Sequence, residues 1–196
     1  MKAIFFERLG AFVLDMIIVN LIFSLISLGF GNYTSSSEKL MHELDNKLVS
    51  GEITNEEYLN EYKGLLYDYQ KDTVLQTGIS LALTIAYYVI FQYMNKGQTI
   101  GKKLLGIKVV NKDTKEPISI LKGLLRSFLI YSILSISVSI LFLYIINKEY
   151  YFIVYSSVLI LEMMFLLITI MFVLYKKDGR GLHDIMANSI VIKESR

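Results

Sequence analysis

From Leu9 to Phe30 the chain runs for 22 residues with a single charge, Asp15, and an apolar run of that length reads as a membrane-crossing helix. At 1.5 Å per residue Asp15 lies roughly 9 Å inside the start of that helix. A carboxylate there costs about 2.5 to 3.5 kcal/mol on insertion scales and must face protein or water. Arg8 is the nearest cation in sequence, two turns earlier on nearly the same face. Helical side chains lean towards the N-terminus, so Asp15 leans towards Arg8 while Arg8 leans away. The missing partner of Asp15 is therefore expected from elsewhere in the chain.

Three further apolar stretches follow, Thr77 to Met94, Ser127 to Ile146 and Tyr151 to Leu174. A chain of 196 residues that is 54% hydrophobic, with a mean hydropathy of +0.48, is too apolar for an ordinary soluble domain. The sequence predicts an all-α membrane protein with four transmembrane helices. The first is not a cleavable signal, because its apolar run is too long, carries Asp15 and has no small-x-small site behind it. Four spans put both termini on one side. Of the 20 lysines and arginines, 15 fall on the segments of that side and five, Lys39, Lys47, Lys63, Lys71 and Lys148, on the other. The positive-inside rule then makes both termini cytoplasmic, in a multi-pass protein of the cell membrane. Tyr87, Tyr88, Tyr93, Tyr144, Tyr150, Tyr151 and Tyr175 cluster at span ends, as an interfacial belt requires. The chain has no cysteine, and His42 and His183 form no metal-ligand spacing. No metal and no cofactor is expected, and a net charge of +2 suggests no nucleic-acid partner.

Between the first two spans, residues 31–76 carry nine acids against four lysines. Leu40, Leu44 and Leu48 recur every four residues after a serine run able to cap a helix, and Gly51 is placed to end it. Thr54 and Glu57 have the capping-box spacing, and Tyr58, Tyr62, Leu65 and Tyr69 fall on one face behind them. This predicts an extracytoplasmic helical hairpin whose second arm continues towards the second span. Its functional reading is a docking surface for an extracytoplasmic protein partner; its plain reading is a solvated acidic cap.

After the second span comes a basic segment that includes Gln98, Gly101, Lys102 and Lys103. A phosphate loop needs four residues between its glycines and Ser or Thr after the lysine; three intervene here and Lys103 follows, so that reading fails. What remains is a basic amphipathic segment suited to anionic headgroups of the lipid bilayer, at roughly 1 kcal/mol per lysine. Ile107 to Val110 and Ser189 to Ile192 read as strands. Pairing them makes a small cytoplasmic β element and returns Asp184 to the membrane surface near Arg8. Arg8, Asp15 and Asp184 are then expected to meet at the cytoplasmic end of the first helix. Arg8 should pair mainly with Asp184, and Asp15 should lie one layer deeper, held by a donor from the Gln98 to Lys103 segment.

In the third span Ser132, Ser135 and Ser139 share one helical face, a pattern that lets helices pack closely. Glu162 sits at the middle of the fourth span, and an acid at that depth is a functional candidate by default. The four-residue connection Asn147 to Tyr150 makes the two spans antiparallel neighbours. Counting outward from its midpoint places Ser135 level with Glu162 and predicts a hydrogen bond from one of the three serines.

With these residues laid out, the chain resembles the RDD family of bacterial multi-pass membrane proteins, named for an arginine and two aspartates. Arg8 matches the arginine at the start of the first helix, Asp15 the aspartate within it, and Asp184 the aspartate after the last helix. The stretches Gly97 to Val110 and Leu182 to Ile192 follow the same pattern. The long acidic insert and Ser189, where a threonine is usual, depart from it. The resemblance implies a single membrane domain over residues 1–196 and a suggested transport role, including cation/proton exchange.

Two functions fit. One is transport of a cation, proton or small solute, with Asp15 and Glu162 as the acids that load and release it. Four helices enclose little volume, so that reading calls for an oligomer, most simply a homodimer. The other is a membrane adaptor, assembly factor or protective partner acting through the acidic hairpin and the basic cytoplasmic face. An enzyme is not expected, because Asp15 and Asp184 as a hydrolytic acid pair come with no visible nucleophile elbow or second base. Water access separates the two functions: transport needs a wet path to the embedded acids, whereas an adaptor can bury them.

Overall fold

The computed structural model describes residues 1–29 and 35–194. Phe30, at the end of the first apolar run, and residues 31–34, at the start of the acidic insert, lie outside the described residues. The chain is mostly helical. Helix α1 spans Phe5–Leu28 and opens with the Ile4 N–H donating to the Glu7 carboxylate at 3.0 Å. Helix α2, Ser36–Ser50, is capped by the Ser35 hydroxyl and stops at Gly51. Helix α3, Asn55–Asp72, starts from Thr54, whose N–H donates to Glu57 at 2.8 Å in the capping box the spacing predicts. Ser37 donates to Asp72 at 2.7 Å and Tyr58 to Asp45 at 2.8 Å, tying α2 alongside α3.

Only Thr73 separates α3 from α4, Val74–Ile85, which continues through a π-helical turn, Ala86–Phe91, into the short α5, Gln92–Met94. Then follow α6 (Ile100–Leu104), β1 (Ile107–Asn111), α7 (Ile120–Ile130), α8 (Ile133–Ile145), α9 (Lys148–Tyr175), α10 (Leu182–Met186) and β2 (Ser189–Lys193). Among the described residues, three helical stretches are long and apolar enough to cross a membrane: Phe5–Leu28, Val74–Met94 and Lys148–Tyr175. Leu21, Leu25, Leu161 and Met163 project outward from them, as lipid contact requires.

The third apolar run is not the single helix expected from Ser127 to Ile146. It comprises α7 and α8, which meet at a 74° bend and count as a fourth crossing only as a broken pair. Ser132 sits at the bend with φ 56°, a left-handed conformation uncommon outside glycine. Beside it the Tyr131 ring stacks on Tyr88 with centroids 3.5 Å apart and lies nearly parallel to Phe12 at 5.9 Å. Packing thus turns the chain where hydropathy alone reads a straight run. The tyrosine belt is divided as well. Tyr93, Tyr144, Tyr150 and Tyr175 are exposed at helix ends, whereas Tyr87, Tyr88 and Tyr151 are buried.

Strands β1 and β2 pair antiparallel, with Val109 opposite Val191 and Asn111 opposite Ser189. The N-terminus joins the same edge, the Ala3 N–H donating to the Val191 carbonyl at 3.0 Å. Ala3, Ala11, Ile107, Val109, Ile118 and Val191 form one buried cluster that locks the sheet onto the start of α1. At the other end of the bundle α3 rests on the α8–α9 turn, where Tyr67 donates to the Leu143 carbonyl at 3.1 Å.

Candidate functional site

At the sheet end the chain buries a cluster of opposite charges. Asp184, fully buried in the first turn of α10, accepts from Arg8 Nη1 at 3.0 Å and from the Ser189 hydroxyl at 3.1 Å. The Gly181 N–H adds a third donor at 3.3 Å. Arg126 Nε on α7 lies 3.1 Å from the other carboxylate oxygen, close enough to pair electrostatically but without hydrogen-bond alignment. His183 Nε2 is 3.4 Å from the same carboxylate. Burial pushes the Asp184 carboxyl up, but Arg126, His183 and Arg8 outweigh it and hold the group well below the usual carboxylate range. The His183 imidazole goes the other way: burial lowers it despite the neighbouring carboxylate.

Asp15 lies apart from these cations and is fully buried. Its Oδ1 accepts from Tyr87 at 2.6 Å and from the Gly101 N–H at 2.7 Å, and its Oδ2 accepts from the Thr99 hydroxyl. The π turn carries Tyr87 and Tyr88 into the core, an inserted-residue geometry frequent at sites where a helix must re-aim a side chain. Helix α6 comes so close to α1 that a Cβ on Gly101 would stand 2.5 Å from the Ala11 carbonyl and 2.8 Å from Asp15 Oδ1. Gly97 is equally constrained, with φ 90° and the Val109 carbonyl 2.1 Å from where its Cβ would be. Only glycine lets these two segments approach.

The basic segment does not lie on the membrane surface as a unit. Gln98 is buried, donating to the Ile107 carbonyl at 3.1 Å and to Glu194 at 3.2 Å. Lys102 is buried too and donates to the Gln92 side-chain carbonyl. Lys103 alone of the three is exposed. The short helix α6 explains the difference, since it turns Lys102 inward with Gly101 while Lys103 faces out. Burial, with Arg126 adding repulsion, pushes the Lys102 ammonium down to about 7.

A family model for the RDD family matches residues 2–188. The chain belongs to the RDD family. No curated protein and no solved structure matches it. Within this RDD protein Arg8 and Asp184 touch directly, while Asp15 forms a second, deeper node linked to them through α1 and α6.

Three participants were not singled out in the sequence. Arg126 stands at the head of the third apolar run as Arg8 stands at the head of the first, which is a usable signal. Tyr87 reads as a belt residue because nothing in the sequence marks the π turn. Thr99 lies inside the Gln98 to Lys103 segment expected to supply a donor, and Gly101 completes it with a backbone N–H.

Two cavities lie deeper in the bundle. The larger, about 530 Å³, opens near the α2–α3 end between α1, α4, α8 and α9. Ser27, Gln76, Ser80, Ser135 and Ser139 line it, with Glu38 on α2. The Gln76 side-chain carbonyl is buried without a hydrogen-bond partner among the described residues. Ser135 lies ten residues before the end of α8, roughly 15 Å down the helix. The second cavity, about 310 Å³, is apolar apart from Ser135 and Glu162. The two residues therefore share a wall at similar depth, but the expected bond between them is not made. Ser135 donates to the Ser132 carbonyl at 3.1 Å, because the bend leaves that carbonyl within reach. The three-serine face is divided by the bend: Ser132 sits at it, while Ser135 and Ser139, both buried on α8, border the larger cavity.

Proposed function

We propose that this RDD protein admits a small cation, a monovalent metal ion or a protonated amine, into the cavity beneath α2 and α3, with the charged cluster at the sheet end acting as a rigid anchor. The observation that carries this reading is the cavity itself. Hydroxyls, amides and one carboxylate gather around about 530 Å³ within an otherwise apolar bundle, the lining that a small cation needs. Glu38 and the unpartnered Gln76 carbonyl give it acceptor character. The positive-inside rule puts this end of the bundle outside and the sheet in the cytoplasm.

The acids first expected to carry the cation take other parts in this reading. Asp15 has three donors and no exposed surface, so it offers nothing to a passing ion. Glu162 borders the other, apolar cavity. The sealed state of Asp15 is also what favours the second reading, an adaptor that presents the acidic α2–α3 face to a partner and moves nothing.

Liposomes containing the protein, challenged with Na⁺, K⁺ or Li⁺ gradients and read with a dye for the cation itself, separate the two. Transport predicts a response that falls about tenfold in Glu38→Gln or Gln76→Leu, the equivalent of about 1.4 kcal/mol. That response should survive in folded Asp15→Asn. Silence towards every cation would leave the adaptor.

A further inference from the structure

The charged cluster at the sheet end is short of direct partners. Two guanidinium groups, Arg8 and Arg126, share one carboxylate, Asp184, and the Asp15 carboxylate, held by uncharged donors, balances their charge only from a distance. The guanidinium forks are left with open donors. Arg8 Nε and Nη2, Arg126 Nε and the Thr169 hydroxyl are buried with no hydrogen-bond partner among the described residues. All three residues, together with His183 and Lys102, line a single cavity of about 130 Å³. At roughly 30 Å³ per water this is space for about four waters or one tetrahedral oxyanion, and an oxyanion would meet the guanidinium charge directly.

We propose that this cavity binds one phosphate-type oxyanion, presented by a lipid headgroup or free in solution. Arg8 and Arg126 supply forked donors suited to a tetrahedral anion, and Thr169 supplies a hydroxyl. The walls favour the lipid as the source. Leu9 and Ile170 line the same cavity and are each 42% exposed on the outer surface of α1 and α9. A headgroup could thus enter sideways while its acyl chains remain against those helices. Two membrane-facing helices and a desolvated charge at their foot differ from a surface lysine patch, which holds headgroups only loosely.

The test uses the full-length protein in a neutral detergent, with its thermal midpoint followed against four additives: short-chain phosphatidylglycerol, the diacylglycerol of the same chain length, sodium phosphate and sodium chloride. Phosphatidylglycerol should raise the midpoint and diacylglycerol should not. Arg126→Lys should weaken the apparent affinity for phosphatidylglycerol about tenfold or more, since the fork is lost while the charge stays. Thr169→Val, which touches none of the Asp184 contacts, should leave the unliganded midpoint in place and still weaken the affinity, so the test survives if Arg126→Lys fails to fold. A shift by sodium phosphate equal to that by the lipid, with the same loss in Thr169→Val, assigns the site to the free anion. The proposal falls if neither phosphate source shifts the midpoint more than chloride does, or if the shift is unchanged in Thr169→Val.

Discussion

Replacing Asp15 with leucine and with asparagine separates a structural acid from a transporting one. Leucine would orphan three donors at once: the Tyr87 hydroxyl, the Thr99 hydroxyl and the Gly101 N–H. At about 1 to 3 kcal/mol for each buried group left unpaired, the cost is about 3 to 9 kcal/mol, comparable to the whole stability of many domains. Asparagine should be far milder, for a reason visible in the geometry. Tyr87 and Gly101 both donate to Oδ1, which the amide carbonyl reproduces. Only Thr99 faces the oxygen that becomes an NH₂, and its hydroxyl can turn to accept. What is lost is charge assistance, about 1 kcal/mol per bond, partly offset by relief of desolvation. Thermal unfolding followed by size-exclusion profile in detergent should therefore rank wild type and Asp15→Asn close together and Asp15→Leu far below. A Thr99→Val change should cost less in the Asp15→Leu background than in wild type, because its partner is already gone. Wild-type stability in Asp15→Leu would refute the donor accounting. A fully folded Asp15→Asn that lost all flux would return Asp15 to the transport path.

Other perturbations follow from the same contacts. Gly101→Ala should cost about 1 to 3 kcal/mol of stability through overpacking, because the new Cβ meets the Ala11 backbone carbonyl at 2.5 Å and α6 must lift from α1; a lower midpoint in differential scanning of the purified variant reads this. Lys102 falls from an ordinary value of 10.5 to about 7 on folding. The unfolded chain then binds the extra proton between those values, and stability should rise with pH across that window by up to about 1.4 kcal/mol per unit. The slope should vanish in Lys102→Met. Asp184 acts in the opposite region: its depressed carboxyl contributes fully above 3.8, and the contribution is lost as pH falls through its folded value, which acid titration of the midpoint detects. Glu162→Gln should leave both folded yield and cation flux unchanged, since Ser135 is already bonded to Ser132 and Glu162 borders only the apolar cavity.

What the sequence made legible was whatever repeats with a period or ends with a cap. The Leu40, Leu44 and Leu48 spacing and the Thr54 and Glu57 box correspond to α2 and α3 almost to the residue, because helix periodicity and capping are local. The β1–β2 pairing was legible from two short β-branched runs, and it brings Asp184 back to Arg8. The break at Ser132 was not, because neither glycine nor proline marks it and its cause is the stacking of Tyr131 on Tyr88 across the bundle. The Ser135–Glu162 bond failed for the same reason: the depth count assumed a straight helix, and the bend gave Ser135 a nearer acceptor. Tyr87 and Lys102 were assigned to the membrane surface by their types, whereas a π turn and a five-residue helix turn both inward.

The cavity under α2 and α3 can be probed directly, because the protein has no cysteine of its own. Ser135→Cys places one thiol at its deep end. In intact cells a membrane-impermeant cationic thiol reagent should modify it, faster than an anionic reagent of the same size, and added Na⁺ or a small amine should slow the reaction. Modification only after the cells are opened, or faster reaction with the anionic reagent, would contradict an outward cation vestibule.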